Sequence, residues 1–288
     1  MNSGKNDLRK LQVTGGSTII VSLPKDWVNA NDLGKGDFVN LEELASGDLR
    51  LSSIQSRTTK KVSQIDCCNH MVGLRDLMIG SYLSGADVIK ISCKDKIPRK
   101  TRSDVRDFLR DTRGMEIEID TDNEIRIISI LNPSELRLQV SINRMYILIS
   151  SLVNDAMDVL LGEPIDLLSD IDERERQIDA RRLLLERQVA ASLQSPSVEK
   201  KLAVDRFTAM EHANIARILE RMGDHANRLA NLIKEHNKVI KIKPKEMPLS
   251  AIPEWSQQLK TIVHNMYTKD VNIIHNAKLE LVDLMHRI

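Results

Sequence analysis

The chain has 288 residues, 41% of them hydrophobic, 29% charged and 3% aromatic, with a formal net charge of +1. That length accommodates about two domains of roughly 100–200 residues. The balanced charge confines any nucleic-acid contact to a local patch, the few aromatics argue against a base-stacking RNA or single-strand binder, and no apolar run approaches the ~20 residues of a membrane span. The N-terminus "MNSGKNDLRK" is polar and lacks the apolar core of a secretory signal, so a cytoplasmic protein without membrane insertion is expected. Cys67, Cys68 and Cys93 are odd in number and form no CxxC pair. That pattern predicts small buried thiols in a reducing compartment, with neither a disulfide framework nor a structural zinc site.

Residues 1–57 read as a small β-rich unit. "RKLQVT" and "TIIVSL" are strands around a "GGS" turn, and Pro24 opens the short helix "PKDWVNANDL" where its missing N–H costs little. "FVNLEEL" and "LRLSS" form a second strand pair around "SGD". So few short elements make a poor core alone, which predicts a homodimer. Residues 58–133 read as an α/β unit: helix "GLRDLMIGSYLSG", strand "DVIKIS", helix "RKTRSDVRDFLRDTRG", then "MEIEID" and "EIRIISI" as a hairpin around "TDN". The arginines of its second helix interleave with Asp104, Asp107 and Asp111, the pattern of a solvated, ion-paired face. No catalytic triad, P-loop or dinucleotide fingerprint occurs here.

From Ser134 the pattern is all-helical. Ser134 is the predicted N-cap of a first helix ending at Gly162. A second long helix runs from Pro164 to Gln194, and a third of similar length follows the "SPS" turn. "KVIKIKPKEMP" is a linker, and a last helical stretch reaches Ile288. Short loops between long amphipathic helices predict an antiparallel bundle.

Two carboxylate pairs share the spacing E-x-x-x-D: Glu175 with Asp179, and Glu220 with Asp224 in "ILERMGDHANRLAN". One turn apart on one helix face, each pair is self-repelling. With the turn between the helices near Ser195, a rise of 1.5 Å per residue leaves the pairs at heights within about 8 Å. Asp172 and His225 lie close enough in sequence to join them. Oxygen-rich clusters suit a hard divalent cation or iron. The alternative is an ion-pair network with Arg174, Arg176, Arg217, Arg221 and Arg228. No nucleophile or general-base arrangement accompanies the patch, so no enzyme is expected.

"RILERMGDHANRLAN" resembles the signature helix of the PhoU family of phosphate-signalling regulators, and "SINRMYILISSLVNDAMDVL" resembles its leading helix. The resemblance implies a three-helix bundle over 134–240 and a metal (Mg, Mn, Zn or Fe) at Glu175, Asp179, Glu220 and Asp224. It also implies two bundle repeats, of which residues 250–288 supply the start of a second, incomplete one. "RKLQVTGGSTIIVSLPKDWVNANDLGKGDFVNLEEL" is similar to the AbrB/SpoVT swapped-hairpin DNA-binding domain, in which two subunits interlace. That implies contact with double-stranded DNA through Arg9, Lys10, Lys25 and Lys35, with Lys5 a further candidate. The expected fold is multidomain α+β: a swapped-hairpin β domain, a small α/β unit and an antiparallel bundle. Such a fusion implies a DNA-binding regulator of phosphate uptake. Its rival is an adaptor whose N-terminal part only dimerises and whose bundle docks to the ATPase subunit of a phosphate transporter.

Overall fold

The computed structural model describes residues 8–44, 47–53, 60–68, 73–132, 134–236 and 245–288, in two compact units, Met1–Lys60 and Lys61–Ile288. Lys5, the expected boundaries at 57, 133 and 240, and residues 238–244 of the expected linker lie outside the described residues. The mixed α+β architecture is as the sequence predicts.

In unit 1, β1 (Gln12–Thr14) pairs antiparallel with β2 (Thr18–Ile20), Thr14 opposite Thr18. Gly15 and Gly16 turn the chain at φ 61° and 91°, a region open to glycine because it has no Cβ. Helix α1 (Lys25–Ala30) follows Pro24, and β3 (Val39–Glu43) pairs with β4 (Leu49–Ser53). No described residue of unit 1 is buried.

Unit 2 opens with a four-stranded sheet: β5 (Val62–Asp66), β6 (Val88–Ser92), β7 (Met115–Asp120) and β8 (Glu124–Ser129), ordered β5-β6-β8-β7, with β5 parallel to β6 and the other pairings antiparallel. Strand β5 is too short and polar to have been read from the sequence. Alternation sends Ile89, Ile91, Ile125 and Ile127 to one face, where α2 (Leu74–Leu83) and α3 (Arg99–Asp111) cover them with Met78, Tyr82, Val105 and Phe108. The opposite face carries ion pairs, Lys90 with Glu124 at 3.0 Å and Arg126 with Glu124 at 2.8 Å. Helix α3 is charge-paired as its sequence predicts: Arg110 with Asp107 at 2.9 Å, Asp111 with Arg75 at 2.6 Å, and Arg102 with Asp120.

The expectation of separate thiols is corrected here, because Cys68 and Cys93 form a disulfide, leaving Cys67 free and buried. Asp66 stands opposite Ser92 in the parallel pair, so the residues just beyond both strands end side by side. Cysteine parity and spacing carry no information about that pairing.

The bundle comprises α4 (Leu138–Leu160), α5 (Ile171–Gln194), α6 (Pro196–Leu202) and α7 (Arg206–His236). Its core includes Ile142, Met145, Ile149, Leu152, Ile178, Leu185, Ala216 and Leu219, at about 1.5–3 kcal/mol for each large side chain fully buried. Three expected boundaries shift. Ser134 is not the N-cap of α4: its hydroxyl and N–H both donate to Asn132 Oδ1, at 2.7 and 3.1 Å, in a preceding turn. The third long helix is broken at Ala203, which sits at φ 54°, and restarts where Asp205 Oδ1 accepts from Thr208 N–H at 2.9 Å. The last stretch is two helices, α8 (Ile252–Thr268) and α9 (Val271–Arg287), separated by Lys269 at φ 53° and capped by Asp270. Helix α8 packs against the bundle through Ile252, Trp255 and Met266. Among the described residues, no helix is long and apolar enough to cross a membrane.

The sheet and the bundle are bolted together by Arg187, which is 2% exposed. Its guanidinium donates to Tyr82 O at 2.7 Å and Ala86 O at 2.8 Å, and lies 4.8 Å from the Tyr82 ring centroid. These carbonyls lie at and just beyond the last turn of α2, where the helix dipole favours a cation. Burial still holds the guanidinium below its ordinary pKa.

Candidate metal centre and nucleic-acid interface

The facing surfaces of α5 and α7 can approach closely because position 223 is glycine. A Cβ there would lie 3.0 Å from Ile178 Cδ1 and 3.3 Å from its Cγ2. A helix-interior glycine costs about 1 kcal/mol against alanine, and close packing between α5 and α7 explains its presence. On either side of this contact stand the two E-x-x-x-D pairs, all four carboxylates half-buried.

The four groups feel one another. Burial raises the Glu175 carboxyl above its usual range, and Asp224 raises it further. Burial, then Glu220, with Glu175 and Asp224 adding to it, pushes Asp179 up to about 6, against the partial relief of Arg182. Glu175 also accepts a hydrogen bond from the buried Asn227, whose own Oδ1 accepts from Asn231 at 2.5 Å. Glu220 has Arg182 Nε 3.3 Å from its Oε1, a contact not aligned as a hydrogen bond. Arg217, one of the expected ion-pair partners, donates to Glu186 at 2.7 Å, and Arg182 also reaches Glu186 at 3.2 Å. The hairpin therefore turns on α6 rather than at Ser195, which slides α7 along α5.

Ion pairs occupy one stretch of this seam, and unpaired acids the next. An ion-pair network holds Arg182, Glu186, Arg217 and Glu220. Beyond it, Asp179 and Asp224 form no ion pair among the described residues. Glu175 and Asp179 open onto a cleft of about 440 Å³ between α5 and helices α2 and α3, lined also by Arg75, Arg110 and Leu183. The donor set fits a hard cation in chemistry: oxygens only, several negative charges, and an open approach. No three of these carboxylates bring oxygens within 4.8 Å of one another, so side chains must close in, or water must bridge, for an ion to be held. Asp172 is exposed and acts on Glu175 only through its charge. His225 lies elsewhere, lining an apolar pocket with Met222, Leu229, Ile252 and Trp255. Gly223 and Asn227 were not singled out from the sequence; the signal for the first was a glycine tolerated mid-helix between two acids.

In unit 1, Arg9 and Lys10 precede β1, Lys25 opens α1, and Lys35 sits in the turn between Gly34 and Gly36; all four are exposed.

The family model described as "Antidote-toxin recognition MazE, bacterial antitoxin" matches residues 12–59. No match to a curated protein or to a solved structure was found. The PhoU domain model matches residues 142–233, which include α5, most of α7 and both carboxylate pairs. The chain thus joins a MazE/AbrB-like N-terminal segment to a PhoU domain, the fusion its motifs predict, and both families are regulatory.

Proposed function

We propose that this protein is a dimeric, DNA-binding regulator of phosphate uptake. Two copies complete the N-terminal unit, and the PhoU-type bundle is its sensing or docking module. The observation that carries this reading is the surface of unit 1: Leu11, Val13, Ile19, Phe38, Leu41 and Leu49 are 60–80% exposed, far more apolar surface than so small a unit leaves bare when finished. A second copy supplies the missing core, and Arg9, Lys10, Lys25 and Lys35 then meet phosphates of double-stranded DNA. At Glu175, Asp179, Glu220 and Asp224 the bundle holds a divalent cation or iron that neutralises their mutual repulsion. Metal analysis of the purified chain against Glu220→Gln/Asp224→Asn bears on that part, and equal metal content in both sinks it.

Chromatin immunoprecipitation under high and low phosphate tests the function, with peaks expected at phosphate-transport genes. In vitro, upstream DNA should shift with an affinity that falls steeply with salt. Each lysine removed should lower the log–log salt slope by about 1. Absence of any salt-dependent shift overturns the DNA-binding reading.

One observation favours the adaptor reading: the α8–α9 hairpin leaves an apolar groove lined by Leu249, Trp255, Leu281, Leu284 and Met285, suited to docking on a transporter's ATPase subunit. Arg9→Ala with Lys10→Ala separates the two. Regulation that survives in cells while DNA affinity is unchanged favours the adaptor.

A further inference from the structure

The chain's three cysteines are gathered at one end of the α/β sheet, just beyond β5 and β6. Their backbones are fixed: Cys67 N–H donates to Ser92 O at 3.0 Å, Cys93 N–H to Asn123 O at 3.0 Å, and Cys68 N–H to Asp66 Oδ1 at 2.9 Å. The three Sγ atoms all lie within 4.8 Å of one another, and no other group of three His, Cys, Asp or Glu among the described residues does so. Cys67 is buried, Cys93 half-buried and Cys68 exposed, so the cluster has a shielded floor and an open side.

We propose that, once the Cys68–Cys93 disulfide is opened, the three thiols form a binding site for one soft, thiophilic cation of the Cu(I) class. A tertiary phosphine opens the bond with one water: the phosphine becomes its oxide, and each sulfur leaves as a thiol. The cation then takes three thiolates and releases three protons. A metal–sulfur bond of ~2.3 Å sets sulfurs about 4 Å apart in a three-sulfur site, a spacing within the 4.8 Å over which the three sulfurs are now gathered. Thiolates select Cu(I), whereas the carboxylates of the bundle suit harder ions.

The test uses the full chain, reduced with phosphine, desalted without oxygen and titrated with Cu(I) against a chromophoric chelator. One equivalent per chain is expected, with loss of three titratable thiols, and none in the oxidised chain. Cys68→Ser changes an exposed side chain and should leave the circular dichroism spectrum unchanged; it should weaken binding at least tenfold, as should Cys93→Ser. Two results overturn the proposal. One is that the reduced chain retains no more Cu(I) than a variant with all three cysteines replaced by serine. The other is that Cys68→Ser binds as tightly as the unaltered chain.

Discussion

Unit 1 leaves Phe38 80% and Leu41 60% exposed, whereas in the bundle Ile149, Leu152 and Leu185 are fully enclosed. Both segments are amphipathic and both follow their local propensities, so the difference lies in the number of layers available. Two short hairpins and a six-residue helix present apolar faces that no other described residue of unit 1 buries. Long helices with short connections cover one another. Unit 2 is therefore expected to be stable as a single chain, and unit 1 only in the presence of a second copy.

The sharpest way to break that comparison is Leu41→Asp. On one chain, a change at so exposed a site is worth no more than about 0.5 kcal/mol. In a dimer it removes two buried leucines, at about 1.5–3 kcal/mol each, and adds two buried charges. Light scattering should report monomers, with the thermal transition of unit 2 unmoved. A dimer that survives Leu41→Asp refutes the interlaced core.

Arg187→Ala tests the other side. It strips a buried cation from two carbonyls and an aromatic face, leaving the carbonyls unsatisfied at about 1–3 kcal/mol each along with lost packing. A loss of about 3–4 kcal/mol in denaturant unfolding is expected, independent of protein concentration, in contrast to the concentration dependence expected of unit 1.

These two residues also mark what was legible in the sequence. The unburied strands of unit 1 followed from element lengths. Arg187 did not, because nothing in "LLLERQVA" says that its partner is the end of a helix about a hundred residues earlier. The same limit hid the disulfide, which depends on the parallel pairing of β5 with β6, and the break at Ala203, where no glycine marks the left-handed residue. For the carboxylates, spacing supplied the faces and approximate heights. Rotation about the helix axes, which sends His225 toward Trp255 instead of the acids, came only with packing.

Asp179→Asn addresses the seam itself. Burial and the neighbouring carboxylates raise Asp179 from 3.8 to about 6. Between those values the folded chain keeps a proton that the unfolded chain has lost, so the contribution of Asp179 to stability falls as pH rises through that window. Above it the ionised group is a standing cost, which the partial exposure of the site reduces to about 1–2 kcal/mol. Asp179→Asn should therefore stabilise the metal-free chain at pH 7 and flatten its pH profile between about 4 and 6. With saturating divalent cation the order should invert, the unaltered chain gaining more in Tm. Equal gains for both would remove Asp179 from the ligand set.

The smallest expected effect is at Gly223. Replacement by alanine restores helix propensity worth up to about 1 kcal/mol, but the new Cβ meets Ile178 Cδ1 at 3.0 Å in a filled core. Overpacking of this kind costs about 1–3 kcal/mol, so a net loss near 1 kcal/mol is expected. The diagnostic is its coupling to charge. If Gly223 keeps α5 and α7 close enough for the carboxylates to interact, Gly223→Ala should also let the Asp179 titration, followed by side-chain carboxyl chemical shifts, drift down from about 6 toward 3.8. A stability loss with an unchanged Asp179 titration would mean that Ile178 alone yields, and that the spacing of the two helices does not set the field between the acids.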